Sequence, residues 1–236
     1  MCIRDSRGTT SLGNPYLVHE IVEAPSFAKR MASSPPWSIH EIVRVGTSLL
    51  DALAVAHSAG LVHGDIEPER VQVLPAGRAR ITCFGLSRAS QRLTDDGWHT
   101  SFAFMSPEQA NGEPPTAASD VYGVGALLYR AITGITPHAA EDGSSSRERI
   151  IDEPVAEVRT LRGEIPVALA SAIEKAVANE PKQRFATAAE LRKALTSALI
   201  LSPTVARMHV RGGPTTASPA ESARPGQRTP PPGRPA

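Results

Sequence analysis

The sequence predicts an α+β protein in which helices dominate and strands are short. Two segments, opening at Ser38 and at Thr187, combine a Ser/Thr-x-x-Glu start pattern with apolar residues at helical spacing. The most apolar stretch, residues 120–133, also has a helical pattern and is too short to cross a bilayer. The β-prone runs are all short. We therefore expect a helical lobe that carries only a few short strands.

The strand candidates fall in the first third of the chain. Residues 15–22 form a β-prone run that ends before a Glu-Ala-Pro turn. Two further runs, at residues 71–74 and 80–82, follow one another closely. These runs allow two strand pairs at most and predict no extensive sheet.

The helix candidates have recognisable starts as well as the right periodicity. Ser38 with Glu41, and Thr187 with Glu190, predict capping boxes in which side chains satisfy the first free backbone N–H groups. Residues 147–158 have an ambiguous pattern. The segments that we expect to be helical are residues 38–60, 120–133, 167–179 and 187–199.

Composition excludes several classes of protein. The 236 residues include 25 Lys and Arg against 24 Asp and Glu, a formal charge of +1, which argues against a nucleic-acid-binding protein. The two cysteines, Cys2 and Cys83, cannot form a disulfide framework, and the seven histidines lack metal-ligand spacing. We expect no metal site and no membrane span, and we expect a cytoplasmic location because no signal-peptide pattern is visible.

The two ends of the chain differ from its body. Residues 202–236 contain eight prolines, no aromatic residue and a net charge of +4, which predicts a disordered tail rich in Pro and Arg. By difference, residues 1–201 carry a net charge of −3. Residues 1–13 lack any periodic pattern, so we expect an unstructured start that is a truncation or assembly scar and not native sequence. These expectations leave residues 14–201 as the folded domain.

Six motifs occur in one order along this domain, and together they resemble a bacterial serine/threonine protein kinase. The resemblance implies a protein-kinase-like fold that consists mainly of the hinge and the α-helical large lobe. The small lobe is largely absent, since no Gly-rich loop and no V-A-I-K lysine is present. The motifs are PYLVHEIVE (15–23), LVHGDIEPERVQVL (61–74), ITCFGLSR (81–88), FMSPEQA (104–110), SDVYGVGALLYRAITG (119–134) and PKQRF (181–185).

The resemblance implies structural roles for five residues. Glu108 and Arg184 would form a buried ion pair, and the alternative is two unrelated surface charges. Taken alone, Asp120 is an ordinary helix N-cap, whereas the resemblance has it accept backbone N–H bonds from the catalytic loop. His63 and Phe84 would belong to the packed spine that links the catalytic loop to the metal-binding loop.

The positions that would carry phosphoryl transfer are largely altered. The resemblance makes Asp65 the catalytic base, which is retained. Gly64 replaces an arginine that reads activation-loop phosphorylation, Glu67 replaces a phosphate-binding lysine, and Arg70 replaces a metal-binding asparagine. Cys83 replaces the metal-binding aspartate. Because Mg²⁺ prefers oxygen ligands, we expect the emptied metal site to be filled by an ion pair between Glu67 and Arg70.

The nucleotide side of the site is altered as well. The backbone of Glu20 and Val22 would form the hinge contacts if a nucleotide binds, and Gln72 stands where an apolar floor under adenine is usual. We therefore expect no cofactor. ATP and Mg²⁺ enter only under the alternative that the chain is a working kinase.

The resulting prediction is a catalytically inactive pseudokinase that acts as a signalling scaffold or regulatory binding module. Its expected partners are proteins: a kinase, a substrate, or a module that reads phosphothreonine. Two alternatives stay open. The chain is either an atypical protein kinase that transfers phosphate from ATP to Ser or Thr with Asp65 and Arg70, or a truncated form of an ordinary kinase.

Overall fold

Helices are the predominant secondary structure in the part of the chain that the computed structural model describes, which comprises residues 4–11, 15–19, 21–33, 37–84, 102–139 and 147–201. The strands are β1 (Arg4–Thr9), β2 (Pro15–His19), β3 (Val71–Val73) and β4 (Ala79–Ile81). The helices are α1 (Phe27–Met31), α2 (Ile39–Ser58), α3 (Pro107–Ala110), α4 (Ala117–Thr133), α5 (Arg147–Asp152), α6 (Val158–Leu161), α7 (Val167–Ala176) and α8 (Ala188–Ile200). The predicted α+β class, with a predominant helical lobe, is confirmed.

The start of the chain corrects one prediction. Residues 1–13 were expected to be unstructured, but β1 pairs antiparallel with β2, with Arg7 opposite Leu17 and Gly8 opposite Tyr16. A Cβ at Gly8 would overlap the Tyr16 ring, so the ring covers the glycine across the strand pair. The prediction was wrong because antiparallel pairing depends on backbone hydrogen bonds and needs no apolar alternation in both strands.

The second strand pair positions the two chain segments that lead into the candidate site. Strands β3 and β4 are antiparallel, with Val71 opposite Ile81 and Gln72 opposite Arg80. Val71 and Ile81 are buried in the main core. The pair thereby fixes the segments on either side of it, which are the loop before residue 71 and the segment after residue 81.

The core is built around α4, the most apolar helix of the sequence. Helix α4 packs against α2 and α7, and α2 in turn packs against α8. At Gly123, a Cβ would lie 2.9 Å from the Cβ of Ile66, so the missing side chain lets the loop at residues 61–70 lie directly on α4. The central helix therefore positions this loop.

Helix boundaries confirm most of the predicted starts and correct two details. Ser38 and Glu41 form both bonds of the predicted capping box. Thr187 accepts from the Glu190 N–H, but the Glu190 carboxylate accepts from the N–H of Ala186, so only half of the second box forms as expected. Helix α4 begins at residue 117, so Asp120 lies within its first turn and is not the N-cap.

Some of the remaining predictions fall on described residues and can be compared with the structure, whereas others fall on residues that the structure does not describe. The ambiguous stretch at residues 147–158 contains helix α5 and the first residue of α6. No helix among the described residues is both long and apolar enough to cross a membrane. The tail at residues 202–236 and Glu20 lie outside the described residues.

Replacing Ser38 with alanine is expected to lower the free energy of unfolding by about 1 kcal/mol, because the variant loses an N-cap whose two bonds are both formed. Chemical denaturation of the full chain measures the change. Ser58→Ala is the matched control, since its hydroxyl donates only to the Val55 carbonyl at the other end of α2. Equal losses in the two variants would contradict the assignment of the cap.

Candidate active site

One buried carboxylate, that of Asp120 in α4, anchors the backbone of the loop at residues 61–70. Asp120 Oδ2 accepts the N–H of His63 at 2.9 Å, and Oδ1 accepts the N–H of Gly64 at 2.7 Å. His57, in the last turn of α2, places its Nε2 2.7 Å from Asp120 Oδ2. The Asp120 side chain is fully buried. One residue of α4 thus joins the loop to α2.

Replacing Asp120 with asparagine is expected to lower the free energy of unfolding by about 2–3 kcal/mol, because an amide group cannot accept bonds at both of its terminal atoms. Denaturation measures the loss, and the backbone amides of His63 and Gly64 should exchange hydrogen faster. Glu113→Gln, at an exposed carboxylate, is the control. Asp120 would not anchor the loop if the two variants behaved alike.

His63 connects the loop to the segment that follows β4. Its Nε2 lies 2.8 Å from the Thr82 carbonyl oxygen, and its Nδ1 lies 3.1 Å from the backbone nitrogen of Asp65. A neutral ring with its proton on Nε2 satisfies both contacts. Burial lowers the pKa of His63 and favours this neutral form. The Phe84 ring lies edge-on to the imidazole, with the ring centroids 4.8 Å apart.

Asp65, which the resemblance places at the position of the catalytic base, pairs with an arginine of its own loop. Arg70 Nη1 lies 2.6 Å from Asp65 Oδ2, while Arg70 Nε lies 3.6 Å from Glu67 Oε2. The expected pair between Glu67 and Arg70 is therefore the longer of two contacts. The Asp65 side chain is only 3% exposed. Burial raises the pKa of Asp65, and the Arg70 guanidinium opposes this rise.

One oxygen of this carboxylate is left over. Asp65 Oδ1 is buried and has no hydrogen-bond partner among the described residues. A small pocket beside it is lined in part by Glu67, Met105 and Gln109. A buried acceptor without a donor costs free energy, so Oδ1 is the natural point at which a hydrogen-bond donor would bind.

Two further contacts fix Arg70 at its backbone. Its carbonyl oxygen accepts the Thr82 N–H at 3.0 Å and the Thr82 hydroxyl at 3.1 Å.

Cys83, the residue after Thr82, has a φ of 70°, in the left-handed region that is uncommon for residues other than glycine. Its half-buried thiol lies 3.7 Å from Thr82 Oγ1.

These residues do not fit a magnesium ion. Mg²⁺ takes oxygen ligands in octahedral geometry, whereas the two positions that the resemblance assigns to it hold a thiol and a guanidinium. The guanidinium is a cation and already bonds Asp65, the nearest carboxylate in this loop. A divalent cation at this place would meet like charge and lack its usual donors.

A polar side chain, that of Gln72, lies beside Val22, which the resemblance assigns to the hinge. Gln72 Nε2 lies 3.5 Å from the Val22 carbonyl oxygen, a long contact, and Gln72 Oε1 is buried without a partner among the described residues. Gln72 also forms an isolated antiparallel bridge with Ser26. An amide therefore lies beside one of the two backbone positions that the resemblance assigns to adenine.

Glu108 and Arg184 lie 76 residues apart in sequence and are in direct contact. Arg184 Nη1 donates to Glu108 Oε1 at 2.8 Å, and Nη2 donates to Oε2 at 2.7 Å. The Ser119 hydroxyl also donates to Oε1 at 2.8 Å. Burial would raise the pKa of Glu108, but the bonds from Arg184 outweigh it and hold the pKa below its ordinary value. The two residues are therefore not unrelated surface charges.

Three contacts at the site were not foreseen from the sequence. Gln109 Nε2 donates to the Gly64 carbonyl oxygen at 2.8 Å, while Gln109 Oε1 accepts the Ser106 hydroxyl. The Ser-x-x-Gln spacing of a capping box was a visible signal for the second contact. His57 had no local signal, since its contact with Asp120 spans 63 residues.

Comparison with known proteins identifies the family. A family model described as a protein kinase domain matches residues 8–196. The chain belongs to the protein kinase family. Its similarity to curated bacterial proteins agrees with the resemblance to serine/threonine kinases.

Three such relatives illustrate the similarity. The probable serine/threonine-protein kinase PknB of Lactococcus lactis is 29% identical over 179 residues, which is 75% of this chain and 28% of the relative. PknL of Mycobacterium tuberculosis is 32% identical over 178 residues, 74% of this chain and 45% of the relative. PknK of the same species is 32% identical over 201 residues, 80% of this chain and 17% of the relative. The chain spans less than half the length of each.

Proposed function

We propose that this kinase homologue is catalytically inactive and works as a signalling scaffold or regulatory binding module. The observation that carries the proposal is the 2.6 Å contact between Arg70 and Asp65. A base that accepts a proton from an incoming hydroxyl needs a free oxygen and enough basicity. Arg70 occupies one of the two oxygens of Asp65 and opposes the rise in pKa that burial gives this carboxylate, so it takes away part of each requirement.

The altered charges around Asp65 support the same proposal. Phosphoryl transfer depends on cations placed around the phosphates, whereas Glu67 brings a negative charge to the position of a phosphate-binding lysine. Arg70 and Cys83 leave the magnesium positions without oxygen donors. Use of ATP and Mg²⁺ in the ordinary manner of the family is therefore not expected.

The intact scaffold supports a role in binding. The bidentate pair of Glu108 and Arg184 and the carboxylate of Asp120 hold the helical lobe together independently of any transfer chemistry. A lobe that keeps its packing while its chemistry is altered is suited to docking other proteins. The partners that we propose are a kinase, a kinase substrate or a phosphothreonine-reading module.

A phosphate-transfer assay tests the proposal. The full chain is incubated with ATP, Mg²⁺ and a mixture of Ser- and Thr-containing peptides, beside Asp65→Asn and the control Asp51→Asn, whose carboxylate is exposed and pairs with Arg192. We expect the three proteins to give the same background incorporation. Incorporation that Asp65→Asn abolishes and Asp51→Asn retains would overturn the proposal.

The same assay addresses the second candidate, an atypical kinase that uses Asp65 as its base. The observation in its favour is the buried Asp65 Oδ1, which has no partner among the described residues and could accept a substrate hydroxyl. Transfer dependent on Asp65 would establish this candidate and remove the first.

A further inference from the structure

A groove on the helical lobe, away from Asp65, is lined by acidic residues. It has a volume of about 440 Å³, within the range of ligand-binding clefts. Asp152, Glu157 and Glu174 contribute carboxylates to its lining, which includes no lysine or arginine, and Val155 and Val177 provide apolar surface. We call this feature the acidic groove.

Hydrogen bonds hold the walls of the acidic groove in place. Glu174 Oε1 accepts the N–H of Val158 at 2.8 Å, which ties α7 to the start of α6. Asn179 Nδ2 donates to the Glu153 carbonyl oxygen at 3.3 Å, which closes the other side. These bonds join the elements that form the walls, and Asp152 and Glu157 are exposed at the rim.

Three of the cations on the neighbouring elements contact other partners. Arg149 pairs with Glu153 at 2.7 Å, and Lys175 lies over the Phe185 ring at 4.5 Å. Arg184, next to the lining residue Gln183, is committed to Glu108. These three cations therefore do not neutralise the carboxylates of the groove.

The chain itself contains a segment of complementary charge. Residues 224–234 include Arg224, Arg228 and Arg234, four prolines and no acidic residue. Arginine pairs with carboxylates through a planar fork, and prolines restrict the backbone before binding, which reduces the entropy lost on docking. Nothing else in residues 202–236 combines three arginines with the absence of acids.

The length of the chain permits this segment to reach the groove. Helix α8 is 13 residues long, or about 20 Å, and begins near Gln183 at the groove. The 22 residues from 202 to 223 can span up to about 70 Å, which is enough to run back along α8. Arg207, only six residues beyond Leu201, has a reach of about 20 Å and is less well placed.

We propose that residues 224–234 dock in the acidic groove of the same chain, with their arginines on the carboxylates of Asp152, Glu157 and Glu174. Docking would cover the exposed carboxylates at the rim of the groove. The proposal does not depend on whether the site at Asp65 transfers phosphate.

A labelled peptide of residues 222–236 tests the docking. Its binding is measured by fluorescence anisotropy to three full-length proteins: wild type, a tail variant (Arg224→Gln, Arg228→Gln, Arg234→Gln), and the tail variant with Asp152→Asn and Glu157→Gln. We expect the tail variant to bind most tightly. The wild type should bind about tenfold more weakly, because its own tail competes at high effective concentration.

The groove substitutions and added salt supply the controls. Asp152→Asn with Glu157→Gln should weaken peptide binding about tenfold, as should raised salt, whereas Glu113→Gln, at an exposed carboxylate outside the groove lining, should not. Equal binding to all variants, or no binding to any, would overturn the proposal. A concentration-dependent dimer of the wild type that the tail variant abolishes would also overturn it, since the tail would then dock on a second copy.

Discussion

Replacing Arg184 with alanine is expected to lower the free energy of unfolding by about 3–5 kcal/mol, the largest loss that we expect from any single substitution in this chain. The substitution leaves the Glu108 carboxylate buried without its partner. It also frees the carbonyl oxygens of Ala178 and Asn179, which Arg184 bonds at 2.7 and 2.9 Å. Denaturation of the full chain, or its yield in soluble form, measures the loss.

Arg192→Ala is the matched control for this prediction. Arg192 also pairs with a carboxylate, that of Asp51 at 2.6 Å, but its side chain is 49% exposed. Exposed pairs contribute about 0–1 kcal/mol, so the control should be nearly neutral. If Arg184→Ala does not fold, the free energy of unfolding of Glu108→Gln tests the same ion pair by removing the charge of the carboxylate partner. Similar small losses in Arg184→Ala and Arg192→Ala would show that the buried pair does not hold the lobe together.

Replacing Arg70 with alanine is expected to cost about 3 kcal/mol at neutral pH, because the buried Asp65 carboxylate loses its counter-charge. Combining Arg70→Ala with Asp65→Asn should recover most of this loss, since no unpaired charge then remains. The coupling free energy from this double-mutant cycle is the measurement. Additive losses from the two substitutions would contradict the ion pair.

The loss in Arg70→Ala should also depend on pH. Burial already raises the pKa of Asp65, and removing Arg70 raises it further. The folded protein then holds a proton that the unfolded chain releases, so the free energy of unfolding falls as the pH rises from the unfolded to the folded pKa. The gap between wild type and Arg70→Ala should accordingly be wider at about pH 8 than at about pH 5. A gap independent of pH would mean that Asp65 is not the affected group.

The sequence was most informative where structure depends on near neighbours. Ser38 and Glu41 are three residues apart, and their capping box formed as expected. The second box, at Thr187, formed only in part because Glu190 had a competing backbone donor in Ala186. Strand β1 was missed because its pairing lies in the backbone and not in its side-chain pattern.

Contacts across long sequence separations could be anticipated only through the family resemblance. Nothing local to Glu108 or Arg184 indicates that they meet, since 76 residues separate them. Neither the local sequence pattern nor the family resemblance predicted that Arg70 pairs more closely with Asp65 than with Glu67. Glu67 and Asp65 lie three and five residues away, and the conformation of the loop decides that Asp65 receives the shorter contact.

A thermal-shift titration of the full chain with ATP, with and without Mg²⁺, tests the central claim most directly. The claim is that Arg70, Glu67 and Cys83 leave no site for a magnesium nucleotide beside Asp65. Ligands that bind only the folded state raise its stability with concentration, so binding would appear as a rising Tm. We expect Mg²⁺ to make no difference to the Tm at any ATP concentration. A clear stabilisation by ATP that requires Mg²⁺ would contradict the account.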